Sequence, residues 1–504
     1  VKTTPVLLAL LGLLGATLPA RAPAQAAAEP VTSEATPATE PPTEAHPLPA
    51  LHALAPPLHH AWPIPVASRE LPANWWLPPL ELVGFTLSLH TFNRNFNSDP
   101  VYEVGWADIK SHFQSGWAWD GDKFATNQFA HPYEGSVYFT TARSLGHGFW
   151  VSGAAAFVGS WTWEMFAEKE PPSINDQITT SVAGSFLGEI LFRLSNRILD
   201  TGGARPGPWR ELGAAAVSPI TGLNRLFFGD TYRPYGYTSH PSFGRLQIGA
   251  HTSGDLRKGG DGVSPRIRGI SMGGELQYGL TAGDWAFREP FDYFDLSADL
   301  TIDKKANTSG ATGNFSIHGL LAGSTYGEGR SRGLWGIFGT YDYLTPEAFR
   351  ASSAAFGPGT TGQVMLGQHF ALQGTAIASL GFGAGGTIST VQGSRDYHFG
   401  LQAVGYSSVQ LYFEDHLRAR LTSRQYFISG RVSPEPHSWE RINYSQAALL
   451  WRVIGPHALG FEWTGARRSA FYPDSPSIST RSNQLEFFYA LLSDHGMGLG
   501  RLVE

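Results

Sequence analysis

His131, Glu164 and Asp176 are the residues of this chain best suited to do chemistry, with Glu134 and Asp122 close by in sequence. A histidine beside one or two carboxylates can act as a general base and be oriented by its neighbour, which is what hydrolysis requires. Ester cleavage by nucleophilic attack adds a demand for a hydroxyl next to that base. Ser136, Thr140 and Ser144 are near, yet no Gly-x-Ser-x-Gly elbow surrounds them. The same side chains suit a hard or borderline metal ion, although neither His-Glu-x-x-His nor EF-hand spacing occurs in this block. The sequence names no cofactor.

Each candidate also has an architectural reading. Ser173 and Asp176 have the spacing of a helix N-cap and the third residue of a capping box. His131 precedes Pro132, which predicts an extended turn with the ring bonded to backbone. Glu164 ends a very apolar helix, where a lone carboxylate is costly, so it must reach solvent or pair with Arg143 or Lys169. Gly121 and Gly135 read as tight-turn residues rather than a phosphate cradle. His52, His59 and His60 lie in a Pro-rich stretch and read as solvated residues rather than metal ligands.

The elements that must position these groups are helical. Tyr133 to Leu145 and Gly148 to Phe166 are two helix-like segments, and Glu164 and Glu168 lie one turn apart on the second. Pro171-Pro172 stops the chain, and a third helix runs from Ser173 to about Leu199. Its apolar face carries Ile178, Val182, Leu187, Ile190, Leu191 and Leu194, and Glu189 and Arg193 are spaced to pair. Trp209 to Phe228 reads as a short helix and loop. Leu80 to His90 reads as a strand. Ahead of these, Lys2, the apolar Val6 to Leu18 and the Ala24-Gln25-Ala26 step resemble a secretory signal over residues 1–26. Residues 27–75, rich in Ala, Pro, Glu and Thr, read as a disordered linker.

From about Ser242 the apolar period changes from helical to two. Phe294, Leu296, Ala298, Leu300 and Ile302 alternate with Asp295, Ser297, Asp299 and Thr301. Leu417, Ala419 and Leu421 alternate with Arg418, Arg420 and Thr422. About twelve such runs follow, each near the roughly 9–11 residues with which a tilted strand crosses a bilayer. Clusters such as Gly327-Glu328-Gly329 and Gly357-Pro358-Gly359 read as the turns between them. The inferred inner face carries Arg418, Arg420, Arg424, Asp295, Asp299, His318, His369, Glu462 and Glu486. Charged residues are only 15% of the chain and aromatics 13%, which fits a barrel with one face in lipid. The net charge of -6 and the lack of a basic tract argue against nucleic acid as a partner. With no cysteine, disulfides and thiol chemistry are excluded.

Trp119-Asp120-Gly121-Asp122-Lys123-Phe124, with Asn127-Gln128 and His131-Pro132-Tyr133-Glu134-Gly135, resembles a bacterial envelope family, the domain of unknown function 3943. Tyr138-Phe139, Ala142-Arg143, Glu170 to Asp176 and Gly222-Leu223-Asn224-Arg225 extend the match over roughly residues 105–230. The resemblance implies a family-specific helical module followed by strand-rich sequence. It transfers no activity and no catalytic residue.

The expected fold is therefore mainly β. It is a transmembrane antiparallel barrel of about twelve strands over residues 231–504, with an N-terminal helical module over 76–230 that plugs or caps it. The expected location is the bacterial outer membrane, with outer-membrane lipid as partner and small solutes or lipid as possible contents of the lumen. The expected role is structural, channel-like or envelope-maintaining. Two alternatives stand beside it: a membrane-lipid hydrolase working through His131 and a nearby carboxylate, and a soluble periplasmic binding protein with a β-sandwich.

Overall fold

Twelve runs of alternating sequence become twelve antiparallel strands. They are β1 (Ser242–Gly254), β2 (Gly269–Tyr278), β3 (Phe294–Lys304), β4 (Ser309–Tyr326), β5 (Ser331–Leu344) and β6 (Arg350–Met365), then β7 (Phe370–Gly386), β8 (Tyr397–Phe413), β9 (Leu417–Ser429), β10 (Trp439–Ile454), β11 (His457–Tyr472) and β12 (Ser475–Leu492). Each pairs with its sequence neighbours, and β1 closes on β12 from Arg245 opposite Leu492 to Gly254 opposite Asn483. Closure leaves no free edge, so the sheet is the expected barrel and the alternative of a β-sandwich is ruled out. The computed structural model describes residues 75–498 apart from 97–99, 120, 201–204, 232–241, 255–268, 280, 282–286, 305–308, 347–348, 387–396, 431–436, 474 and 494–496. The expected signal segment, the histidines of the linker and almost all of that linker lie outside the described residues.

Strand parity fixes which way every side chain points. Arg418 and Arg420 on β9 reach across to Glu275 on β2, so these residues face the lumen. Their neighbours Leu421 and Phe427, with Leu380, Leu449, Phe461 and Phe487 on other strands, are exposed on the outer wall. The inner face is as the alternation predicts, with one exception. His369 lies in the turn between β6 and β7 and pairs there with Glu414 at 2.5 Å. Gly357-Pro358-Gly359 is also not a turn. It lies within β6, where the ladder to β7 skips Gly357 and Pro358 because proline has no N–H to donate.

The helical part comprises α1 (Leu77–Phe96), α2 (Trp106–His112), α3 (His131–Arg143), α4 (Phe149–Phe166), α5 (Ile174–Ile178), α6 (Gly184–Asp200), α7 (Pro208–Val217) and α8 (Pro219–Phe227). Leu80 to His90 is thus helix, not strand. Pro78 and Pro79 fall in its first turn, where a missing N–H costs nothing. Wide π turns at Thr126–Ala130 and Thr179–Ala183 run into α3 and α6. No described helix is long and apolar enough to cross a membrane by itself.

The helices do not plug or cap the barrel. They pack on its outer wall. The barrel residues that share their core are outward-facing ones: Leu276 and Tyr278 on β2, Phe294 and Leu296 on β3, Phe315 and Ile317 on β4. Farther round, Trp119 meets Phe399, Phe124 meets Tyr343 and Tyr397, and Phe186 meets Phe291 of the β2–β3 connection. Polar contacts pin the same interface. Asn127 Nδ2 donates to the Tyr397 hydroxyl (2.7 Å), the Tyr341 hydroxyl donates to the Gln128 carbonyl (2.6 Å), and Ser352 Oγ donates to Gln128 Oε1 (2.5 Å). Lumen and module are therefore separated by the sheet itself.

Candidate functional site

Inside the module, α3, α4 and α5 bring the expected residues into one buried cluster. His131 opens α3 with helical dihedrals (φ -62°, ψ -45°), not the extended turn that Pro132 predicts. The bias imposed by the following proline is overridden because the preceding π turn already carries the chain in helically. Asp176 comes from α5, whose start is capped as expected: Ser173 Oγ accepts from the Asp176 N–H at 3.2 Å. Glu164 comes from the last turn of α4 and accepts from the Ser173 backbone N–H at 2.7 Å. Of the expected partners of Glu164, Arg143 lies in a different cluster, described below, and Lys169 is exposed.

His131 lies between two carboxylates. Its Nδ1 is 3.5 Å from Glu134 Oε2 and its Nε2 is 3.9 Å from Asp176 Oδ2. Glu134 also accepts from the Tyr138 hydroxyl (2.9 Å), which in turn accepts from Thr86 of α1 (3.3 Å). Glu168 accepts from the Trp163 indole at 2.7 Å and faces the same group. The cluster thus gathers one imidazole and four carboxyl groups, from Glu134, Glu164, Glu168 and Asp176, between three helices.

This arrangement ties three helices together, and among the described contacts the nearby hydroxyls bond to backbone rather than to His131. Ser136 Oγ donates to the Tyr133 carbonyl and Ser144 Oγ to the Thr140 carbonyl. Thr140 Oγ1 donates back to the carbonyls of its own helix. Asp122 is exposed on the approach to the first π turn and does not enter the cluster. Among the described residues no group of His, Asp and Glu has the geometry to hold a metal ion. Gly135 is not a turn residue either. It lies within α3, where a side chain would strike the Thr180 carbonyl.

A second cluster joins the module to the barrel. Glu189 of α6, fully buried, accepts from Arg143 Nε (2.8 Å) and Arg193 Nε (2.7 Å). The Glu189–Arg193 pair is the one the spacing predicts. Glu289 and Asp292 of the β2–β3 connection complete it, at 3.0 Å from Arg143 and 3.1 Å from Arg193 respectively. The two guanidiniums offset the cost of burying the Glu189 carboxylate. Sequence reasoning missed Glu289 and Asp292. The available signal was the charged pair in the middle of an apolar helix face, which implies an outside partner.

The lumen holds its own network. Glu275 is bound by Arg245 (2.9 Å), Arg418 (2.7 Å) and Arg420, and Glu462 lies 3.5 Å from Arg420. Between these groups and Asp295, Asp299 and Tyr406 there remains a cavity of about 60 Å³. At roughly 10–15 Å³ per water that is room for a handful of waters.

Residues 116–220 match the model of one family, described as Domain of unknown function (DUF3943). No curated protein matches. Among solved structures the chain is similar to the outer membrane channel DcaP of Acinetobacter baumannii, with 9% identity, a TM-score of 0.22, and 50% of this chain and 96% of that one covered. It is also similar to the NanC porin (8% identity, TM-score 0.25, 48% and 98% covered). A third is Wzi, an outer membrane protein involved in group 1 capsule assembly in Escherichia coli (9% identity, TM-score 0.17, 60% and 97% covered). Each resembles this chain in outline only.

Proposed function

We propose that this protein is a bacterial outer-membrane β-barrel with a structural, envelope-maintaining role, its lumen closed in the resting state and its partner the membrane lipid. The observation that carries this reading is the ionic bridge from β9 to β2 across the lumen through Arg418, Arg420 and Glu275. A buried bridge of this kind resists opening because removing either side strands a charge, a loss of about 3–5 kcal/mol. The apolar outer wall supports insertion, since lipid offers no partner for exposed polar groups. The helical module serves as a fixture on that wall.

The test has two parts. The protein should fractionate with outer membranes and migrate differently in gels before and after heating. In planar bilayers the purified protein should conduct weakly, and the Arg418→Ala, Arg420→Ala double variant should conduct strongly. A wild-type protein with steady, porin-like conductance would refute the closed lumen. The lipid-hydrolase alternative has its three residues in one cluster, but no serine or threonine hydroxyl is bonded to His131 among the described contacts. It predicts lipid turnover that His131→Ala abolishes while insertion stays intact.

A further inference from the structure

We infer that the helical module is itself immersed in the bilayer, with the outer faces of α1 and α4 in contact with lipid acyl chains. This rests on the outer-membrane reading above and adds a lipid-contacting surface made of helix rather than strand.

Four observations converge. First, the module is docked on the outward faces of β2–β8, the side of the sheet that elsewhere exposes Leu380, Leu401, Leu421 and Leu449. Its surface is thus a continuation of the lipid-facing wall. Second, the module's own exposed face is apolar. Leu80, Val83 and Leu87 line one side of α1, and Trp150, Val151, Phe157 and Val158 line one side of α4. A helical unit in water would present charge there. This one instead buries its charges, among them His131, Glu164, Asp176, Glu189 and Arg193.

Third, three polar side chains on that outer face bond to their own helix. Ser88 Oγ donates to the Gly84 carbonyl (2.7 Å), Asn95 Nδ2 to the Thr91 carbonyl (2.8 Å) and Thr162 Oγ1 to the Val158 carbonyl (2.8 Å). That is the solution available to a polar group that meets hydrocarbon rather than water.

Fourth, the dimensions and the ends fit. α1 and α4 run side by side in the same direction, with Trp75 against His147 at one end and His90 Nδ1 3.0 Å from the Ala167 carbonyl at the other. α1 has 20 residues, a length of about 30 Å, which matches the hydrocarbon thickness of a bilayer. Trp75, Trp76 and Trp150 are exposed near one end, and Phe96, Trp106, Phe113 and Phe166 near the other. Exposed charges gather at that second end, at Arg94, Glu103, Lys110, Lys169 and Glu170. Aromatic and charged residues at the ends of an apolar band mark the interfaces of a membrane segment. Neither helix has to be apolar all round, because its inner face is covered by the rest of the module.

The chain has no cysteine, so single cysteines can be placed and labelled cleanly. Leu87→Cys, Phe157→Cys, Leu449→Cys and Lys110→Cys, each carrying an environment-sensitive fluorophore, are reconstituted in phosphatidylethanolamine–phosphatidylglycerol vesicles. Quenching is then read with nitroxide-labelled acyl chains and with aqueous iodide. Labels at Leu87 and Phe157 should lose as much fluorescence to the acyl-chain nitroxide as the barrel label at Leu449, and the label at Lys110 should respond to iodide. If Leu87 and Phe157 respond to iodide while Leu449 responds to the nitroxide, the module lies in water and the inference fails, with the outer-membrane reading intact. If Leu449 also responds only to iodide, both fail.

Discussion

Glu189 shows how a single residue can hold two bodies together. It neutralises Arg143 on α3 and Arg193 on its own helix, and these two guanidiniums in turn hold Glu289 and Asp292 of the barrel. Glu189→Ala leaves two buried cations facing each other, so it should cost about 3–5 kcal/mol and release the module from the wall. Protease sensitivity of the helical part, with the barrel still resistant, would report that release.

Among the elements, α3 is the axle of the module, and glycines on its neighbours let it sit there. A side chain at Gly184 would strike the backbone of Gly135, one at Gly159 the Tyr138 ring, and one at Gly188 the Phe139 side chain. Two neighbouring helices, α4 and α6, thus come close to α3 at three glycines, with Gly184 and Gly135 meeting backbone to backbone, the device by which helices pack tightly without a large apolar side-chain layer. Gly184→Val should push α6 away from α3 at a cost of at least about 1–3 kcal/mol, measurable as a lowered melting temperature of the helical part. Gly188→Ala meets only the Phe139 side chain and should cost less. The helices were legible in the sequence because their caps and prolines are local signals, as at Ser173 and Pro171-Pro172. The glycine contacts were not, since a glycine in a charged, aromatic block reads equally well as a turn. Leu80 to His90 does not read as helix because α1 is apolar on both faces, with Leu82 and Phe85 inward and Leu80, Val83 and Leu87 outward, so no single helical stripe stands out.

For the whole molecule, the barrel was the most legible feature. Period-two alternation states both the strands and which residues face the lumen, as Arg418 and Arg420 against Leu417 and Leu421 illustrate. The place of the module was illegible for a physical reason. An outward apolar residue looks the same in sequence whether lipid or a helix covers it, and Phe294 to Leu300 read no differently from Leu417 to Leu421. Only the contacts separate them, and the Asn127-Gln128 pair that marks the family resemblance turns out to grip Tyr397, Tyr341 and Ser352. Those grips join residues as much as 270 positions apart. The module is synthesised first, yet the wall it needs is unfinished until β8 is in place. Contacts of such long range form late. During assembly the nascent chain must therefore keep a sticky helical unit waiting, shielded from water and from other chains, until the last strand of its berth has arrived.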